Sequence, residues 1–273
     1  MARRRYPINE ERWRAKGHGE GMLVDYRSWL DVRSFSSSGL VRRHRGHKTK
    51  RVQHFLSDLE FRCFLLLEWC KWAIDIREQY PLHPIEETRE IAAHLGYRHP
   101  TARRASGSGG TKLMPVTMTS DFRVTCSDEY PVPEIVLSVK PSSRLQDNRT
   151  LQKLEIERQY WERRFVPWYL ITEYELPEVP LRNIQFLLPF RKLEDYGFKV
   201  DDVEEVIEAL YERLRVTSDP IGPFCRANDE SKGLALGTSL TLVWHAIATK
   251  KWQVDLNEDL APNRPLHGLI RSS

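Results

Sequence analysis

Residues 118–140, Met-Thr-Ser-Asp-Phe-Arg-Val through Leu-Ser-Val-Lys, carry the residue types that could do chemistry. The stretch reads as two strands joined by a turn. Asp121 lies on the first strand and Lys140 ends the second. Side chains alternate faces along a strand, so Asp121, Arg123 and Thr125 share one face and Phe122, Val124 and Cys126 the other. Val136, Ser138 and Lys140 share a face of the second strand. If the strands pair, an acid and a lysine converge at one sheet edge. A carboxylate can hold Mg²⁺, a hard cation that takes oxygen ligands and keeps several waters. A neighbouring lysine can help activate a water or stabilise charge on a phosphate. Together they form a minimal kit for metal-assisted phosphodiester hydrolysis. The same two residues also suit an ordinary solvated strand end, so the surrounding chain must decide.

The elements around this stretch read as follows. Tyr26 to Phe35 reads as a short strand, and Ser36-Ser37-Ser38-Gly39 as a turn. Phe55 to Trp72 has apolar residues at helical spacing. Ser57 is a good N-cap, with Glu60 three residues on in a capping-box pattern. That cap alone would explain Glu60. Ile74 to Tyr80 alternates like a strand, with Ile74 and Ile76 on one face and Asp75 and Arg77 on the other. Residues 81–99 form a connection with a helix over 85–95, and Ala105 to Gly110 reads as a mobile loop. Residues 149–164 form an amphipathic helix with Leu151, Leu154, Ile156 and Trp161 as its apolar positions. Trp168 to Thr172 is a short strand. Strand–helix–strand at this spacing favours a right-handed crossover and a parallel pair. Pro177 and Pro180 mark a boundary. Beyond it come helices at 203–214 and 238–248 and a short strand at Trp252–Leu256. That succession suggests a small winged-helix-like module.

Composition narrows the function classes. The 273 residues are 40% hydrophobic with eight Trp, enough for one large or two ordinary domains. No apolar run approaches the roughly 20 residues of a membrane span. The N-terminus has no signal-peptide pattern. Cys63, Cys70, Cys126 and Cys225 form no Cys-x-x-Cys pair, which speaks against zinc and for a reducing cytoplasm. The net charge is +4, but residues 1–54 carry +9. Most of that excess sits in 42–51, where Arg42, Arg43, Arg45, Lys48, Lys50 and Arg51 stand with no acid. Such a run is a footprint for a phosphate backbone, or else a solvated flexible arm.

Four runs together resemble the TnsA family, the endonuclease subunits of heteromeric DNA transposases. They are Ser-Ser-Gly…His-Lys-Thr-x-Arg-Val-x-His-x-Leu-Ser-Asp-Leu-Glu (37–60), Asp-Ile-Arg-Glu-Gln-Tyr-Pro-Leu (75–82), Met-Thr-Ser-Asp-Phe (118–122) and Val-Lys-Pro-Ser-Ser-x-Leu-Gln-Asp…Thr-Leu-x-Lys-Leu-Glu (139–155). The resemblance covers roughly residues 20–175 in order and extends more weakly over 176–273.

It implies an α/β fold with a restriction-endonuclease-like, PD-(D/E)xK mixed-sheet core over 23–175. A basic flexible segment over 1–22 would precede it, and a C-terminal winged-helix-like helical domain over 176–273 would follow. It implies that Glu60, Asp121 and Lys140 are catalytic. Glu60, Asp121 and the Val139 backbone carbonyl would hold Mg²⁺, for which Mn²⁺ substitutes. The family motif usually has an acid or Gln two residues before the lysine; here that position is Ser138. Arg42, Arg43, Arg45, Lys48, Lys50 and Arg51 would bind DNA. The implied activity is cleavage at the 5′ ends of a transposon in the prokaryotic cytoplasm, at the nucleoid. The implied partners are transposon-end DNA, the transposase TnsB and the AAA+ regulator TnsC, the last on the C-terminal domain. The alternative is a non-catalytic DNA-binding or adaptor subunit on the same fold. A free restriction enzyme is disfavoured, because no sequence-reading module is evident.

Overall fold

A computed structural model describes residues 10–30, 41–105, 111–197 and 203–266. The chain divides into two compact units, Met1–Leu176 and Pro177–Ser273.

Among its described residues the first unit opens with a short helix, α1 (Glu10–Ala15). Glu10 accepts hydrogen bonds from the Thr117 backbone N–H at 3.1 Å and the Thr117 hydroxyl at 2.9 Å, so the start of the described chain is tied down. Tyr26 to Leu30 forms no strand, contrary to the sequence expectation, and the remainder of that segment lies outside the described residues. Two strands, β1 (Arg42–Arg45) and β2 (Val52–Phe55), pair antiparallel. The basic segment is therefore a hairpin rather than a flexible arm. Helix α2 (Asp58–Trp69) follows, then β3 (Ala73–Pro81) and α3 (Ile85–His94). Strands β4 (Thr101–Ala105) and β5 (Thr111–Pro115) make a second hairpin around the expected loop, of which 106–110 lies outside the described residues. Strands β6 (Thr119–Cys126) and β7 (Glu134–Val139), helix α4 (Asn148–Glu162) and strand β8 (Trp168–Ile171) complete the unit.

The central sheet is mixed, in the order β3-β6-β7-β8. The first two pairings are antiparallel; β7 and β8 run parallel, joined by α4 as the spacing predicts. On one side Phe64 and Phe122 each bury their rings against Phe55. A second cluster joins Val136 to Ile156, Tyr160 and Trp161 of α4 and Ile91 of α3. Burying such side chains is the main favourable term for the unit. The alternation expected for β3 fails at its start. The β3–β6 register shifts between Ala73 and Asp75, and Ile74 is left 49% exposed while Ile76 is fully buried. A bulge of this kind turns a side chain to the other face.

The second unit is helical among its described residues: α5 (Glu178–Leu187), α6 (Glu204–Leu214), α7 (Ile221–Lys232) and α8 (Thr238–Ala248). Leu181, Ile184, Ile207, Leu210, Val243 and Trp244 are buried. Buried Asp229 accepts from the Gly237 and Ser239 backbone N–H groups at 2.8 and 2.9 Å, satisfying donors that the start of α8 leaves open. Trp252–Leu256 is not the expected strand; Val254 alone holds a bridge position. Among the described residues no helix is long and apolar enough to cross a membrane.

Candidate active site

Ser57 stands at the N-cap of α2 in extended conformation, and its hydroxyl oxygen accepts the Glu60 backbone N–H at 3.1 Å. The Glu60 carboxylate reaches back in turn. Oε1 accepts from the Ser57 hydroxyl at 2.9 Å and Oε2 from the Leu56 N–H at 2.9 Å. Glu60 is thus a capping residue, as its spacing suggests. It is also more than that, because Oε2 accepts from Gln79 Nε2 at 3.2 Å.

Gln79 is where the strands meet this helix. It is buried in β3, between the Glu78↔Phe122 and Tyr80↔Ser120 pairs of the β3–β6 ladder. Its φ is +49°, in the left-handed region. For a non-glycine L-residue that conformation costs roughly 1–2 kcal/mol, and such strain gathers at functional sites. The Thr119 hydroxyl donates to Gln79 Oε1 at 3.2 Å, and Gln79 Nε2 also reaches Asp121 Oδ1 at 3.4 Å. One side-chain amide therefore spans Glu60 and Asp121.

Asp121 sits where β6 and β7 part. Their pairing runs from Thr125/Glu134 to Phe122/Leu137. Beyond it the Asp121 carboxylate inserts, and Oδ2 accepts the Val139 backbone N–H at 2.7 Å. The same oxygen accepts from Lys140 Nζ at 2.5 Å. Lys140 Nζ donates also to the Val139 carbonyl at 2.9 Å. The three sequence-predicted residues, Glu60, Asp121 and Lys140, are brought together, with the Val139 carbonyl beside them.

Electrostatics follows from this crowding. Burial, reinforced by the Asp121 charge, pushes the Glu60 carboxyl up to about 7. Burial works against the Lys140 ammonium, but the Asp121 carboxylate outweighs it and holds Lys140 above its ordinary value. An acid that resists ionising beside another carboxylate is a site short of positive charge. The Lys140 ammonium supplies some of it, bridging the Asp121 carboxylate and the Val139 carbonyl. These are oxygen donors of the kind Mg²⁺ takes. Glu60, Asp121 and the Val139 carbonyl could hold such an ion, with water completing its shell. Among the described residues no group of three or more His, Cys, Asp or Glu side chains is placed to hold a metal. Two carboxylates and a carbonyl fit an ion that keeps much of its water.

Ser138 turns away from this set. Its hydroxyl donates to Glu157 Oε1, on α4. Glu157 is buried, and burial together with the Asp121 charge pushes it up to about 7. Sequence reasoning missed both Gln79 and Glu157. The signal for Glu157 was present: an acid in the apolar stripe of α4, three residues after Leu154 and four before Trp161. Gln79 had no such signal.

The basic hairpin packs on α2 beside Glu60. Arg42 forms an ion pair with Asp58 at 2.7 Å and lies over the Phe61 ring at 4.8 Å. His44 packs against Phe61 and Phe64. Strand alternation then leaves Arg43 and Arg45 exposed, as is Lys50 at the turn. Lys48 instead turns inward, its ammonium on the Cys70 and Ala73 carbonyls. Arg51 is buried against Glu78. The six cations of the segment therefore divide into an outward set and an inward one.

Two family descriptions match the chain in tandem: "TnsA-like endonuclease N terminal" over residues 72–173 and "TnsA endonuclease C terminal" over 175–256. The first match includes Gln79, Asp121, Val139, Lys140 and Glu157; Glu60 lies before its start. The chain is also similar to the transposon Tn7 transposition protein TnsA of Escherichia coli. The identity is 38% over 226 residues, which cover 83% of this chain and 78% of that relative.

Proposed function

The chain belongs to the TnsA family of transposon endonucleases, and on that footing we propose that it is the Mg²⁺-dependent nuclease subunit that cuts the 5′ ends of a transposon. The observation that carries the reading is the convergence of Glu60 and Asp121 on one buried amide, with Lys140 on Asp121. Glu60, Asp121 and the Val139 carbonyl would hold the divalent ion, with Mn²⁺ able to substitute. When bound, that ion supplies Lewis acidity at the scissile phosphate and eases ionisation of a water. Lys140, held charged by Asp121, orients the attacking water or offsets the negative charge that grows on the phosphate. Gln79 keeps the two carboxylates at a fixed separation. In-line attack by water leaves a 3′-hydroxyl and a 5′-phosphate.

A restriction-endonuclease-like core over 23–175 is supported by the mixed β3-β6-β7-β8 sheet, with its acid on β6 and its lysine at the end of β7. The outward cations Arg43, Arg45 and Lys50, with Arg42 behind them, hold the DNA backbone. The helical second unit serves as the winged-helix-like, partner-binding domain. It meets the AAA+ regulator TnsC, while TnsB cuts and joins the opposite strand. Membership of the TnsA family supports a transposition complex with DNA and further transposition proteins; these partners, and a place at the nucleoid in the prokaryotic cytoplasm, are part of the proposal.

The test is strand-specific nicking of a duplex spanning a transposon end and its flank, with TnsB present. Wild type should cleave the 5′ strand in Mg²⁺ and not in EDTA. Asp121→Ala should abolish that cut while DNA binding persists. Cleavage by Asp121→Ala at the wild-type rate would remove the site assignment. Wild-type DNA binding with no cleavage in Mg²⁺ or Mn²⁺ would instead favour an adaptor subunit.

A further inference from the structure

Beside Lys140 lies a cavity of about 310 Å³. Lys140, Arg144 and one face of α4 contribute to its lining. Thr150, Lys153, Leu154 and Glu157 of α4 all line it, the spacing of a single helical face. Thr119 closes the side toward Gln79. Three cations thus line a pocket beside the candidate catalytic lysine, with Pro100, Val116 and Met118 in its apolar wall.

The residues that line the cavity include three cations and one acid, Glu157. Lys140 is engaged with Asp121, but Arg144 and Lys153 form no salt bridge among the described residues. Four acids are close: Asp121 is held by Lys140, and Glu10 accepts from the cavity-lining Thr117. Glu157 is turned onto the Ser138 hydroxyl. Asp147 caps α4, accepting from the Arg149 and Thr150 N–H groups and the Thr150 hydroxyl. It draws on both Arg144 and Lys153 electrostatically without pairing with either. Arg149 and Lys140 in turn repel Lys153. A cation held near other cations with its nearest acids engaged elsewhere gains from an anion brought between them.

We propose that this cavity seats a backbone phosphate of the cleaved strand adjacent to the scissile one, with Arg144 and Lys153 as its binding residues. The inference rests on the nuclease reading and extends it. A nucleic-acid strand cannot present one phosphate alone. Its phosphates recur every ~3.4 Å of helix rise along each strand, so a site that takes one at Asp121 and Lys140 must accommodate the next. The cavity adjoins Lys140, has the opposite charge to a phosphodiester, and offers the Arg144 guanidinium, which can fork onto two phosphate oxygens. Anchoring the neighbour fixes the register of the strand over the metal-binding carboxylates, which is how phosphate contacts position without reading sequence.

The test uses the full chain and a 40-base-pair duplex in Ca²⁺, with affinity measured from 50 to 200 mM salt. Each phosphate neutralised contributes a slope of about 0.9 in log affinity against log salt. The double variant Arg144→Gln, Lys153→Gln should therefore lose about 0.9 of slope. Over that fourfold rise in salt its affinity should fall about 3.5-fold less than that of wild type. Mn²⁺ affinity and melting temperature should stay at wild-type values, because neither residue touches the candidate ligands. Combining Arg144→Gln with Lys153→Arg should restore part of the slope that the double variant loses. An unchanged slope in the double variant overturns the inference, as does wild-type binding with no salt dependence. If the slope changes but wild type cleaves nothing in Mg²⁺ or Mn²⁺, the phosphate seat stands and the nuclease reading falls. If wild type cleaves and the slope is unchanged, the cavity alone is refuted. Orthophosphate at millimolar concentration, added to wild type, separates a strand phosphate from a free anion site. Orthophosphate that binds wild type but not the double variant, with the same duplex salt slope in both, would mark a free-anion site and overturn the assignment to DNA.

Discussion

Replacing Arg51 by Ala should destabilise the first unit severely while leaving outward DNA contacts intact. Arg51 forks onto Glu78 at 2.7 and 2.6 Å. Nη2 also donates to the Ile76 carbonyl at 2.8 Å, Nε donates to the Leu23 carbonyl at 3.0 Å, and the guanidinium lies over the Tyr26 ring at 4.8 Å. The two side chains are only 8% and 1% exposed. Truncation leaves the Glu78 carboxylate with Gln53 Nε2 at 3.2 Å and the His54 N–H at 3.3 Å, both neutral donors. Removing one partner of a buried pair costs about 3–5 kcal/mol, because the other charge is stranded. For a unit of this size each kcal/mol lowers Tm by roughly 2–4 °C, so the transition should fall by roughly 6–20 °C. Urea and thermal unfolding of the full chain, followed by tryptophan fluorescence, measure this. Arg51→Lys should recover only part, since an ammonium cannot fork onto a carboxylate. Lys50→Ala, one residue away but exposed, should stay within about 0.5 kcal/mol of wild type. The reasoning is refuted if Arg51→Ala unfolds within about 1 kcal/mol of wild type, well under the cost of a stranded charge. A DNA-binding role for Arg51 would replace it if that variant also lost as much salt-dependent DNA affinity as Arg43 and Arg45 variants do.

Neutralising Arg43, Arg45 and Lys50 together should weaken duplex binding and lower its salt slope by about 0.9 for each phosphate left unneutralised; an unchanged slope would show that the hairpin does not touch DNA. Gln79→Gly should relieve the left-handed backbone yet remove the amide between Glu60 and Asp121, so Mn²⁺ affinity by calorimetry should drop about 10–100-fold while Tm holds or rises. Equal Mn²⁺ affinity would reduce Gln79 to a structural residue. Glu157→Gln tests the raised carboxyl by its pH dependence in EDTA. A carboxyl near 7 in the fold and near 4.5 in the unfolded chain binds more protons when folded, so it contributes stability that is lost as pH rises from about 4.5 through 7. Relative to wild type, the variant should gain up to about 3 kcal/mol between pH 5 and 8; no difference in the two pH profiles would contradict the burial argument.

Much of the candidate site's geometry was legible in sequence because its parts are local. Ser57 and Glu60 follow helix-cap spacing, Asp121 and Lys140 follow strand alternation, and the α4 crossover follows from the strand–helix–strand interval. What stayed hidden depends on partners distant in sequence. The charge density of residues 42–51 gives no hint that Arg51 is met 27 residues on by Glu78 and turned inward. Gln79 gained its place from a left-handed backbone inside a strand, which no periodicity anticipates. The bulge at the start of β3 broke the alternation at Ile74 for the same reason: register belongs to the pair of strands, not to one. Ser138 read as a missing ligand, whereas its hydroxyl is bonded to a carboxyl, Glu157, supplied from another element.

The most direct measurement is a crystal structure of the chain soaked in Mn²⁺, with anomalous scattering locating the ion. A metal-assisted centre predicts a peak coordinated by Asp121, Glu60 and the Val139 carbonyl, and no such peak in Asp121→Ala. A peak elsewhere, or none at millimolar Mn²⁺ with Lys140 still seated on Asp121, would contradict it.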